Sequence, residues 1–155
     1  MSPGHRHAGM GRGLKRMVWL SSALLWASGL GWCALHYTVG AGGAEGLPHP
    51  AEPWLMKLHG LALFLNLMAL GAVVAQHLPP GWRMGQRPAW HGQRRTGLWL
   101  GSLFIALVAS GYLLYYFGGE DWRPTLDGVH IAAGVLLAVP LLWHTGRRRA
   151  ARAMP

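Results

Sequence analysis

A 155-residue chain that is 52% hydrophobic and only 12% charged is not an ordinary soluble domain, and it is too short for more than one compact domain. Its formal charge of +9 would suit a nucleic-acid binder, but the placement of the charges described below excludes that class. Its one cysteine, Cys33, excludes an internal disulfide and a four-thiolate iron–sulfur site, and without a C-x-x-C-H run covalent haem attachment is excluded too.

A membrane span needs about 20 mostly apolar residues, and four stretches reach that length: 17–39, 54–77, 96–117 and 126–145. The tail before them, 1–16, is rich in Gly, His and Arg, and its His5 and His7 belong to a solvated segment. The first span has a basic flank, but its apolar run is too long for a signal peptide and no clean cleavage site follows, so it reads as a retained helix. The outer loop 40–53 carries Gly, Pro and acids. After the second span, Pro79-Pro80-Gly81 predicts a firm helix stop and opens an inner loop over 78–95. The last outer loop, 118–125, is short enough to force the third and fourth helices to be antiparallel neighbours. The basic segment 146–155 closes the chain, and no internal repeat is evident.

The charges orient this array. Arg6, Arg12, Lys15 and Arg16 precede the first span; Arg83, Arg87, Arg94 and Arg95 separate the second and third; Arg147, Arg148, Arg149 and Arg152 follow the fourth. All five acids, Glu45, Glu52, Glu120, Asp121 and Asp127, fall in or beside the other two loops. Lys and Arg collect in short cytoplasmic loops. The expectation is an all-α integral membrane four-helix bundle, up-down-up-down, a single domain over 1–155 with both termini cytoplasmic. Trp19, Trp54, Trp82, Trp99, Trp122 and Trp143 stand near span ends as interfacial anchors, with Tyr112, Tyr115 and Tyr116 at the outer end of the third helix.

Five of the nine histidines, His36, His59, His77, His130 and His144, lie in or at the ends of these spans, where an ionisable residue is costly and points to function. They form two layers: His36, His59 and His130 toward the outer face, His77 and His144 at the inner ends. At about 100° per residue, His59 and His77 fall on one face of the second helix, with Asn66 within about 20° of it. His130 and His144 differ by about 40° in phase and about 21 Å in rise. Two such stripes facing each other predict two bis-imidazole sites, the arrangement that holds a six-coordinate haem iron between helices. The axial ligands expected are His59 with His130 and His77 with His144, giving two haem b groups or one at the outer site. His36 competes at the outer site, contacts a propionate, or hydrogen-bonds a neighbouring helix. Gly60, Gly97, Gly101, Ala109, Ser110, Gly111 and Gly134 are read as small residues that let helices approach.

In the run Asp127-Gly128-Val129-His130 through Trp143-His144-Thr145-Gly146-Arg147, in Lys57-Leu58-His59-Gly60, and in Ala109-Ser110-Gly111-Tyr112-Leu113-Leu114-Tyr115-Tyr116, the chain resembles bacterial four-helix membrane b-type cytochromes. These are the quinone-linked cytochromes b and the cytochrome b subunits of hydrogenases and formate dehydrogenases. The resemblance covers about 54–148. It implies an outer haem held by His59 and His130. It places the inner one on the later histidine of helix four and one near the inner end of helix one. Here the first helix has no histidine at that end, and His77 stands in its place. The resemblance further implies transmembrane electron transfer as a module of an oxidoreductase, a quinone in the lipid phase, a redox partner protein and a bacterial inner-membrane location. A quinone headgroup is expected around His77, Trp82 and Arg83. No hydrolytic or acid–base constellation is present, so no catalytic residue is assigned. The rival readings are a cofactor-free membrane anchor and a histidine-lined metal transporter; the latter fares worse because no carboxylate lies deep in any span.

Overall fold

The structure, a computed structural model, describes residues 10–43, 46–84, 86–88 and 91–153, with side chains on the last helix described through Thr145. His5, His7 and Glu45, and the side chains of Arg147, Arg148, Arg149 and Arg152, lie outside that description. The chain is all-α: α1 spans Arg12–Thr38, α2 Glu52–Met84, α3 His91–Tyr116 and α4 Arg123–Ala153. Each helix contains a segment long and apolar enough to cross a membrane. By contact the chain divides into two compact units, Met1–Pro80 and Gly81–Pro155, each holding one helical hairpin.

In both hairpins the residues removed from the surface are small or polar. Ala62, Ala69, Ser21, Ser28, Asn66 and Glu52 are buried in the first, and Ala133 and Ser110 in the second. Large apolar side chains point outward instead: Leu20, Phe64, Ile105 and Val139 are 63–72% exposed. Water would not tolerate so much contiguous apolar surface, whereas lipid is a solvent for it. The hydroxyls inside the helices are bound back to the turn before them. Ser21 donates to the Met17 carbonyl at 2.7 Å, Ser28 to Leu24 at 2.7 Å and Thr145 to Leu141 at 2.8 Å. In hydrocarbon that back-bond satisfies a donor that water cannot reach.

In the first hairpin α1 and α2 run antiparallel. Ser28 meets His59, and Ser21, seven residues earlier, meets Asn66, seven residues later. The connection between the two helices is held by a knot around Glu52. One carboxylate oxygen accepts from the His49 backbone N–H at 2.8 Å, and the other lies 3.0 Å from Nδ1 of His36 at the end of α1. In the second hairpin α3 packs along α4 in the same manner, with Ser110 opposite His130 and Thr96 opposite His144. The short connection between α3 and α4 does hold them as antiparallel neighbours.

Pro79-Pro80-Gly81 does not stop the second helix; α2 continues through both prolines to Met84. Proline's fixed φ is itself helical; the pair withdraws two backbone donors from the carbonyls of Ala75 and Gln76 and crowds those carbonyls with its rings. The helix continues with those two bonds missing. As a result the expected inner loop over 78–95 shrinks to the six residues between Met84 and His91.

Candidate functional site

Each hairpin places one histidine two turns into its second helix: His59 and His130 are each the eighth residue of α2 and α4. Each is met by a serine on the first helix of its own hairpin. Ser28 Oγ is 3.0 Å from His59 Nδ1, and Ser110 Oγ is 2.9 Å from His130 Nδ1. The residue after each serine is a glycine, and the imidazole lies against it. A Cβ on Gly29 would come to 3.2 Å from His59 Cε1, and one on Gly111 to 3.3 Å from His130 Cε1. Those distances are tighter than ordinary van der Waals contact, so at these positions glycine sets how close the ring approaches the neighbouring helix. The three residues concerned are Ala27-Ser28-Gly29 in one hairpin and Ala109-Ser110-Gly111 in the other, identical in sequence.

The second hairpin carries the device twice. Fourteen residues toward the other end of each helix, Thr96 Oγ1 lies 3.0 Å from His144 Nδ1, and Gly97 follows the threonine. Here the fit is looser, with a Cβ on Gly97 meeting His144 Cε1 at 3.9 Å. The equivalent lower clasp of the first hairpin comes sooner, after seven residues, and uses an amide. Asn66 Nδ2 donates to Ser21 Oγ at 2.8 Å and to Ser22 Oγ at 3.0 Å.

The five histidines expected to line sites therefore divide. His59, His130 and His144 share one environment, with Nδ1 engaged by a hydroxyl on the neighbouring helix and the ring edge over a glycine. His36 has another. Its Nδ1 faces the Glu52 carboxylate at 3.0 Å, and its ring stacks on Trp32 with centroids 4.4 Å apart and planes at 13°. It hydrogen-bonds the neighbouring helix, one of the three roles expected for it. The register that pairs Ser28 with His59 sets His77 level with Met10, ahead of α1. Near the connection between α2 and α3, the Trp82 ring carries the Arg94 guanidinium 4.3 Å above its centroid, a cation–π contact within the second unit. Among the described residues no three His, Cys, Asp or Glu side chains gather into a metal-binding cluster.

The histidines and their phase were legible in the sequence; Ser28, Ser110 and Thr96 were not. The available signal was the repeated Ala-Ser-Gly and its Thr-Gly echo at 96–97. Comparison of the chain with family models, with curated proteins and with solved structures finds no match.

Proposed function

We propose that the chain is a b-type haem-binding cytochrome of the bacterial inner membrane. In this reading both termini are cytoplasmic, and the protein transfers electrons across or within the membrane in link with a quinone and a redox partner protein. The observation that carries this reading is the common environment of His59, His130 and His144. A histidine that ligates a metal through one nitrogen is held by a hydrogen bond at the other. With Nδ1 engaged at all three, coordination falls to Nε2. Gly29 and Gly111 add a second fit, since without a Cβ they let the His59 and His130 rings lie close against the neighbouring helix. On this reading His59 and His130 hold the outer haem, and His144 with His77 the inner one. Haem b, when bound, supplies a reversible one-electron iron couple. The chain's own residues orient the imidazoles, exclude water and tune basicity through Ser28, Ser110 and Thr96.

One observation favours a second reading, a cofactor-free membrane anchor. Asn66 is clasped by Ser21 and Ser22 in the same way, yet an amide is no haem ligand, so hydroxyl clasps also serve packing alone. Liposomes reconstituted with the protein and loaded with ferricyanide decide between the two. With a membrane-permeant quinol absent and dithionite outside, the cytochrome reading predicts reduction of the trapped ferricyanide at a rate that scales with bound haem. A rate no higher than in protein-free liposomes would contradict it.

A further inference from the structure

The hydroxyl clasps also fix a proton. A serine or threonine hydroxyl has one hydrogen to give and two lone pairs to accept with. At each of the three histidine clasps that hydrogen has a carbonyl of its own helix within reach: Leu24 at 2.7 Å from Ser28, Leu107 at 3.2 Å from Ser110 and Gln93 at 3.0 Å from Thr96. The Asn66 clasp shows the polarity of the arrangement. Its amide nitrogen only donates, and Ser21, which receives that bond, sends its own hydrogen to the Met17 carbonyl at 2.7 Å. Carried over to the imidazoles, the same polarity would make the hydroxyl the acceptor and Nδ1–H the donor.

We infer that Ser28, Ser110 and Thr96 are positioning residues that lock His59, His130 and His144 in the Nδ1-protonated tautomer, presenting the Nε2 lone pair as a ligand for a metal-bearing macrocycle. Free histidine in water favours the opposite tautomer, with the proton on Nε2 and no lone pair there. The clasp therefore performs before binding a rearrangement that would otherwise accompany it. It also polarises the bound imidazole, because a hydrogen bond from Nδ1–H raises the basicity of Nε2 and favours the ferric state.

The part of this inference that concerns ligation rests on the cytochrome reading; the tautomer does not. NMR of haem-free protein labelled at the histidine ring nitrogens, with signals assigned by single His→Gln variants, reads the tautomer directly. The expected result is a protonated Nδ1 and an unprotonated Nε2 at His59, His130 and His144 at a pH where the rings are neutral. A protonated Nε2 at these positions overturns the inference. In haem-loaded protein, Ser110→Ala should retain the pigment while shifting the oxidised-to-reduced equilibrium of the outer haem about tenfold toward reduced, about 59 mV for one electron. Ser110→Thr should restore the original value. A Ser110→Ala variant with pigment and an unchanged potential also overturns it. Protein that binds no haem but shows the Nδ1–H tautomer would sink the cytochrome reading and leave the positioning role standing.

Discussion

The two hairpins solve the same upper level identically and the lower level differently. In both, Ala-Ser-Gly on the first helix clasps a histidine at the eighth position of the second, with nearly the same hydroxyl-to-nitrogen distance and the same glycine beneath the ring. Below that, the first hairpin places an asparagine between two serines after about two turns, whereas the second places a second histidine on a threonine after about four. Both partners are nitrogen atoms engaged by a hydroxyl, and they are equivalent as interhelical clasps. They are not equivalent as ligands, since only imidazole has a lone pair suited to iron. On the cytochrome reading proposed above, the lower clasp of the first hairpin is structural and that of the second is a ligand position.

The largest expected effect breaks the symmetry of the upper level. Replacing either His59 or His130 with Ala should remove the outer haem and about half of the pigment, while His144→Ala removes only the inner one; haem per chain in purified variants is the measurement. Retention of full pigment in both His59→Ala and His130→Ala would separate the clasps from ligation altogether.

The glycines sharpen the comparison further. Gly29→Ala and Gly111→Ala each place a methyl group 3.2–3.3 Å from an imidazole carbon, so the ring must shift by a few tenths of an ångström. Both should lower haem occupancy several-fold or broaden the reduced absorption band. Gly97→Ala, with 3.9 Å to His144, should leave the spectrum unchanged.

A smaller effect tests the lower level. Asn66→Ala removes two interhelical hydrogen bonds and should cost about 1 kcal/mol, since such bonds in membranes average about 0.6 kcal/mol each. Thermal unfolding in detergent should register that loss with no change in the haem spectrum. The smallest effect lies outside the helices. Glu52→Ala cuts the carboxylate that joins the end of α1 to the start of α2, and should speed proteolysis within 39–51 while leaving pigment intact.

Much of this was written plainly in the sequence. Four apolar blocks of span length fixed the helix count, and the phase of His59 and Asn66 correctly placed them on one face of α2, the face that meets α1. The duplicated clasp stayed hidden because connections of unequal length disguise it. Ser28 and His59 are 31 residues apart and Ser110 and His130 only 20, since the connection between the paired helices spans 39–51 in one hairpin and 117–122 in the other. A search for a fixed period misses a motif whose register is set in three dimensions. Serine within an apolar helix also has two physically sound roles, close packing and back-bonding to its own turn, and the sequence does not reveal that its oxygen also meets an imidazole on the neighbouring helix. The helical passage through Pro79-Pro80 was misread for a related reason. Proline withdraws a donor and crowds the carbonyl four residues back, but its φ is helical, and near the end of its length α2 continues through both to Met84.

Haem ligation by the clasped imidazoles is read from a dithionite-reduced minus air-oxidised absorption spectrum of detergent-purified protein expressed with adequate haem supply, with haem quantified per chain. The account predicts a b-type spectrum with about two haems per chain, or about one if only the outer pair is filled. A colourless protein would contradict it and return His59, His130 and His144 to the structural role that Asn66 already plays.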